Sequence, residues 1–154
     1  MAQPAVANPG LANRPSLTLT RRFRARPEKV WSAWTDPEKL IAWFCTSKAK
    51  PGSFRAELDV RVGGRYRVSF DMESGEHSEV GGVYREVVPN EKLVFTWAWH
   101  STPERESLVT VSIKPDGAGS LMVFTHEQFF DETARDNHAK GWNELFAQLE
   151  KVLA

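Results

Sequence analysis

The sequence has a single cysteine, Cys45, no net charge and no long hydrophobic run. One cysteine excludes an internal disulfide and fits a reducing compartment, so we expect a cytoplasmic location. Lys and Arg together number 20, as do Asp and Glu, and this balance gives no long-range attraction to nucleic acid or to an anionic membrane. No apolar run approaches the roughly 20 residues of a membrane-spanning helix, so we expect no membrane insertion.

Motifs for phosphate, metal or nucleophilic chemistry are also missing. The two glycine pairs, Gly63-Gly64 and Gly81-Gly82, lack the lysine and the following helix of a phosphate-binding loop. The histidines and the cysteine show no metal-ligand spacing; they are His77, His100, His126, His138 and Cys45. The carboxylates of Glu57, Asp71 and Glu127 are assigned to solvent-facing positions, which leaves no paired-carboxylate site. We therefore predict no metal, no cofactor and no catalytic set, and an unreactive, partly buried Cys45.

Secondary-structure patterns begin at residue 16, after an Ala-, Pro- and Asn-rich start that predicts a flexible tail over residues 1–15. Alternating apolar residues predict a first strand over about residues 17–25. Pro27 and the Asp36-Pro37 pair each suit a helix start, so two short helices are expected next. Period-two patterns predict six further strands, and apolar residues three or four apart predict a long helix from about Asp131 to Leu153.

Glycines mark three places in these elements. Gly63-Gly64 predicts a tight turn that joins two strands into a hairpin, and Gly81-Gly82 inside a strand predicts a bulge. Gly141 lies within the long helix, where glycine costs about 1 kcal/mol relative to alanine. We therefore expect Gly141 to permit a close approach of two backbones.

Arg21 is a charge on the apolar face of the first strand. It needs a partner there, and Glu86 and Asp59 are the candidates; the alternative is that its guanidinium anchors a ligand. The arginines on the opposite face predict a solvated surface rather than a nucleic-acid patch; they are Arg22, Arg24 and Arg26.

The order of elements is one strand, two short helices, a run of antiparallel strands and one long helix, which predicts an α+β fold in a single domain over residues 16–154. Six or seven strands at about 4.8 Å spacing make a sheet roughly 30 Å wide, whereas a helix with its side chains is about 10–12 Å across. One helix covers such a sheet only if the sheet curves around it. Curvature encloses a volume that is either filled by large side chains or left open as a ligand pocket.

Aromatic side chains are expected to line this volume. The stretch LVFTWAWH at residues 93–100 places Leu93, Phe95, Trp97 and Trp99 on one face of a strand. The predicted ligand-binding set is Trp43, Tyr66, Phe70, Trp97, Trp99, Phe124, His126 and Trp142. Trp43 and Phe44 would form the lip of the cavity or belong to the core. The alternative for the whole set is that its rings fill the interior.

His126 is predicted to point inward, because it shares a strand face with Met122 and Phe124. The favoured interpretation is a hydrogen-bonded core residue. The alternative is a polar anchor for a ligand or a general acid or base. No neighbouring residue in the sequence completes a catalytic dyad with it.

Several stretches resemble the activator-of-heat-shock-protein-90-ATPase homologue domains. They are RRFRARPEKVWSAWTDPEKLIAWF near the start, and DVRVGGRYRV, GGVYREVVPNEKLVFTW, MVFTHEQF and GWNELFAQL later in the chain. The resemblance covers roughly residues 16–153. It implies the helix-grip fold of the superfamily that includes START domains, birch-pollen-allergen-like (Bet v-like) proteins and polyketide cyclases. In that fold a curved antiparallel sheet of six to seven strands holds a long C-terminal helix, with two short helices after the first strand.

The resemblance also suggests functions. Superfamily relatives bind sterols, lipids or polyketides, a few are cyclases, and the eukaryotic namesakes stimulate a chaperone ATPase. Our first hypothesis is a module that binds a small hydrophobic or aromatic ligand between the sheet and the C-terminal helix. The alternatives are a co-chaperone-like domain that stimulates a heat-shock protein 90 ATPase, and a cyclase- or hydrolase-like enzyme, which would need a second titratable group beside His126. A symmetric homodimer is the default expectation for assembly.

Overall fold

A computed structural model describes residues 13–44 and 48–154 of the chain. The strands are β1 (Leu17–Phe23), β2 (Arg55–Leu58), β3 (Arg65–Asp71), β4 (His77–Val88), β5 (Lys92–Trp99), β6 (Ser107–Asp116) and β7 (Gly119–Glu127). The helices are α1 (Pro27–Thr35), α2 (Pro37–Trp43) and α3 (Glu132–Leu153). Cys45 and residues 1–12 lie outside the described residues, so the predictions for Cys45 and for most of the tail stay predictions.

All seven of these strands belong to one antiparallel sheet with the order β1-β7-β6-β5-β4-β3-β2. Neighbours in the chain are neighbours in the sheet from β2 to β7, and β1 pairs with β7 at the far edge. The sheet curves around α3, and α1 and α2 follow the first strand as predicted. The predicted α+β helix-grip fold is therefore confirmed, with seven strands.

The helix starts follow the capping residues in the sequence. Pro27 occupies the first turn of α1. The Asp36 carboxylate accepts a hydrogen bond from the backbone N–H of Glu38 at 3.0 Å and so caps α2. The Asp131 carboxylate accepts one from the backbone N–H of Ala134 at 2.8 Å and caps α3. In the described residues, no helix is both long and apolar enough to cross a membrane.

Aromatic rings fill most of the space between α3 and the sheet. Trp34, on α1, is their centre: its ring centroid lies 4.9 Å from that of Trp43 and 6.1 to 6.2 Å from those of Phe124, Trp142 and Phe146. All five side chains are at most 4% exposed. A void of only about 30 Å³ remains beside this cluster, so the alternative of a filled interior is correct for this part of the molecule.

Two of the predicted glycine positions need correction. The strands β2 and β3 form the predicted hairpin, but the connection spans residues 59–64 instead of a two-residue turn. In β4 the register shift lies between Tyr84 and Glu86, beyond the predicted bulge at Gly81-Gly82. Gly82 has another role, because a Cβ atom there would overlap the carbonyl oxygen of Thr96 on β5. The sequence pattern alone does not distinguish a bulge from a close approach of two strands, because glycine suits both.

Gly141 was expected to allow two backbones to approach each other, and this is wrong. A Cβ atom built at Gly141 has no heavy atom of another element within 4 Å. The missing side chain leaves open space beside α3.

Arg21 was expected to pair with Glu86 or Asp59, and this is also wrong. Its guanidinium donates to the Asn143 side-chain oxygen at 2.6 Å and lies 3.6 Å from the Glu150 carboxylate, both on α3. The reason is topological: β1 lies at the sheet edge beside α3, far along the strand order from β4. The opposite-face arginines Arg22, Arg24 and Arg26 are exposed, as predicted.

We predict opposite effects for the same substitution at two of these glycines. Gly82→Ala should lower the free energy of unfolding by about 1–3 kcal/mol, because the new methyl group meets the β5 backbone. Gly141→Ala should raise it by about 1 kcal/mol, because alanine has the higher helix propensity and the site is open. Urea denaturation of the two variants measures both; a stabilised Gly82→Ala variant would contradict the strand contact.

Candidate functional site

A cavity of about 280 Å³ lies between α3 and the strands β3 and β5. It is roughly an order of magnitude larger than the void beside Trp34 and is mostly apolar. Its lining consists of Phe44, Phe70, Trp97, Trp99, Asn137, His138, Gly141, Trp142, Glu144 and Leu145. Among the described residues of this lining there is no Lys or Arg, and Glu144 is the one residue with a formal charge.

Half of the predicted ligand-binding set borders this cavity. The residues that line it are Phe70, Trp97, Trp99 and Trp142, and Phe44 lies at its edge, at the C-terminal cap of α2. The residues that do not line it are Trp43, Tyr66, Phe124 and His126, all buried in the core. Their polar atoms are used internally: the Trp43 indole N–H donates to the Ala33 carbonyl at 2.9 Å, and the Tyr66 hydroxyl to the Thr96 carbonyl at 2.6 Å.

His138 on α3 joins the helix to the tryptophans of β5. Its Nδ1 lies 2.7 Å from the Ala134 carbonyl oxygen, which can only accept, so Nδ1 carries the proton. Its Nε2 then accepts hydrogen bonds from the indole N–H groups of Trp97 at 3.3 Å and Trp99 at 3.1 Å. These contacts require a neutral imidazole with a fixed tautomer.

His126 is fixed in the opposite tautomer. The Trp142 indole N–H donates to its Nδ1 at 3.1 Å, so Nδ1 is unprotonated and Nε2 carries the hydrogen. Nε2 lies 2.7 Å from the Ser107 hydroxyl, which donates onward to the Trp97 carbonyl at 3.2 Å. His126 is fully buried with both nitrogens engaged, which agrees with the favoured interpretation as a hydrogen-bonded core residue.

Burial lowers the pKa of both histidines below the usual value of 6.5. For His126 the loss of solvent is the main cause, and the nearby His138 lowers the pKa further. For His138 burial again lowers the pKa, and the hydrogen bond to the Ala134 carbonyl offsets part of that effect. The exposed His77 behaves oppositely: its hydrogen bond to Asp71 raises the pKa.

The cavity therefore offers shape and aromatic surface more than reactive groups. His138 and Glu144 are the titratable side chains of its lining, and both nitrogens of His138 are already hydrogen-bonded. Within residues 13–44 and 48–154, no three His, Cys, Asp or Glu side chains are grouped so that they could hold a metal ion.

Of the α3 residues at this site, sequence reasoning found Trp142 and missed the others. The overlooked lining residues are Asn137, His138, Gly141, Glu144 and Leu145. They recur three or four positions apart and so share one stripe of the helix. The stripe is partly polar and contains a glycine, so it falls outside the apolar pattern from which the site residues were predicted. The signal in the sequence was the spacing of these residues, three or four positions on either side of Gly141, which places them on one face of the helix.

We predict that His126 and His138 stay neutral when the pH falls below 6.5, whereas His77 is protonated already above it. The unfolded chain takes up protons on the two buried histidines in this range and the folded chain does not, so their contribution lowers the free energy of unfolding as the pH falls. A pH titration of the histidine ring resonances by NMR measures all three pKa values. A titration of His126 near 6.5 would contradict the burial that lowers its pKa.

Comparison with known proteins places this architecture in a family. The family model described as activator of Hsp90 ATPase homolog 1-like protein matches residues 24–154. Among curated proteins, none is significantly similar in sequence.

Three solved structures illustrate the likeness. A protein from Chromobacterium violaceum is 28% identical, with a TM-score of 0.75 over 90% of this chain and 97% of that chain. A protein from Rhizobium leguminosarum is 26% identical, with a TM-score of 0.75 over 90% and 93%. A protein from Rhizobium loti is 25% identical, with a TM-score of 0.74 over 89% and 95%. With a family model that matches most of its length, the chain belongs to the activator of Hsp90 ATPase homolog 1-like family.

Proposed function

We propose that the protein binds a small, flat, hydrophobic molecule in the cavity between α3 and the sheet. The observation that carries the proposal is the contrast within one interior: rings close the space beside Trp34 almost completely, yet about 280 Å³ stays open beside Trp97 and Trp99. A folded core is packed to few voids larger than a water molecule. An open, ring-lined volume of this size is therefore typical of a binding site.

The cavity volume limits the size of the ligand. Pockets for drug-sized ligands measure about 300–1,000 Å³, and an engineered apolar cavity of about 150 Å³ binds benzene. The 280 Å³ available here suits one or two fused rings. Of the ligand classes that the superfamily suggests, small aromatic fragments fit this volume, whereas a sterol or a long acyl chain requires a larger one.

The charge of the lining also favours neutral ligands over anionic ones. No Lys or Arg belongs to the described lining, and Glu144, an exposed residue of α3, is its one acidic member, so a bound anion would have no cationic partner there. The rings supply the contact area, because aromatic side chains bury large apolar surfaces.

The co-chaperone alternative stays a prediction. The large hydrophobic side chains that are exposed in the described part of the chain are Val62, Phe130 and Val152, from three separate segments. These three residues are far apart in the sequence, so their exposure alone does not define an apolar docking surface. If the protein acts on a chaperone, the purified chain will raise the ATPase rate of heat-shock protein 90; an unchanged rate removes this alternative.

Gly141→Leu should abolish ligand binding by filling the cavity from its helix side. The Cβ position is free of contacts from other elements, so the added side chain enters open space. The readout is the shift of the tryptophan indole resonances in NMR spectra during titration with naphthalene. Wild type and Gly141→Ala should show saturable shifts, and Gly141→Leu should show none.

Lys140→Leu provides the matched control, because it places the same side chain on the adjacent exposed position of α3. It should bind naphthalene like the wild type. Circular dichroism checks that each variant is folded. Saturable binding that Gly141→Leu leaves unchanged would place the ligand elsewhere and overturn the proposal.

A further inference from the structure

The hydrogen bonds around His138 contain one more donor than acceptor. Nε2 of a neutral imidazole has a single lone pair in the plane of the ring. The indole N–H groups of Trp97 and Trp99 both point to this atom, at 3.3 Å and 3.1 Å. One lone pair cannot satisfy two full hydrogen bonds at once, so one indole N–H is under-satisfied at any moment.

The other nitrogen of His138 cannot relieve the deficit. Nδ1 lies 2.7 Å from the Ala134 carbonyl oxygen and donates to it, which fixes the lone pair on Nε2. Protonation would remove that lone pair and place three N–H groups against one another. Within the described residues, neither indole N–H has a second acceptor.

The under-satisfied donor lies beside the cavity. Trp97, Trp99 and His138 all contribute to the cavity wall. Trp97 is only 5% exposed, whereas Trp99 is half-buried, so the indole of Trp99 is the one that a bound molecule can reach. A buried donor without a full partner costs free energy, and an acceptor on a ligand would recover it while His138 keeps Trp97.

We propose that the molecule bound in this cavity carries a neutral carbonyl-type oxygen that accepts a hydrogen bond from the indole N–H of Trp99. The proposal rests on the proposed function and specifies its ligand: a small aromatic ketone, aldehyde, ester or quinone rather than a plain hydrocarbon. The oxygen lies at the His138 end of the cavity, and the ring of the ligand lies among Phe44, Phe70 and Trp97. A charged oxygen is disfavoured because the described lining offers no Lys or Arg to pair with it.

A pair of probes of nearly equal shape tests this assignment. Acetophenone carries a carbonyl oxygen where α-methylstyrene carries a methylene group. The two probes differ in their hydration, so the informative quantity is the change in the ratio of their Kd values between variants. Isothermal titration calorimetry gives both Kd values, and NMR follows the Trp99 indole proton. In the wild type, acetophenone should move this proton downfield and α-methylstyrene should not.

Trp99→Phe removes the donor and retains an aromatic ring. It should weaken the binding of acetophenone about fivefold relative to that of α-methylstyrene. This factor corresponds to the loss of one ordinary hydrogen bond. Trp31→Phe removes an indole on α1 outside the cavity lining and should leave the ratio unchanged.

The outcomes separate the two proposals. If both probes bind but Trp99→Phe leaves their ratio unchanged, or if acetophenone does not shift the Trp99 proton, the carbonyl assignment is overturned and the binding function stands. If neither probe nor naphthalene binds, both proposals fail. The shift measurement uses the wild-type protein, so the assignment remains testable even if Trp99→Phe does not fold.

Discussion

A seven-stranded sheet presents more apolar surface than one helix can cover, and the rest of the structure responds to this mismatch. Curvature of the sheet around α3 reduces the uncovered area but encloses a volume under the helix. Trp34, supplied by α1, fills that volume on one side together with the rings of Phe124 and Phe146. Beside β3 and β5 no side chain of the described residues fills the space in this way, and Gly141 leaves the helix face bare. The cavity is thus the part of the enclosed volume that side chains leave unfilled.

Buried polar atoms then determine how rigid this interior is. Three indole N–H groups donate to two histidines, and the histidines connect to Ser107 and to the Ala134 carbonyl. Each bond fixes the rotamer of a large ring as well as the tautomer of an imidazole. Polar networks in a low-dielectric interior are stabilising only when their members are satisfied. The network is complete at His126 and one acceptor short at His138, which faces the cavity.

The fold could be predicted from the sequence because its signals are local and periodic. Alternation predicted the strands of the sheet, and Pro27, Asp36 and Asp131 marked the helix starts that the structure contains. The candidate site was predicted only in part. Trp97 and Trp99 were placed on the inner face correctly, but which interior rings border open space depends on how neighbouring side chains fill it. Trp43 and Phe124 have the same pattern as lining residues and are enclosed by packing from Trp34.

The contacts of Arg21 give α3 two unequal ends. Asn143 and Glu150 fasten the second half of the helix to the edge strand β1, whereas the preceding turns, around Asn137, lie over the cavity. His138 holds these turns to β5 through the indole N–H groups of Trp97 and Trp99, so a displacement of this half of α3 must also move two rings of the cavity wall. Any widening of the cavity is thereby coupled to the positions of the Trp97 and Trp99 side chains.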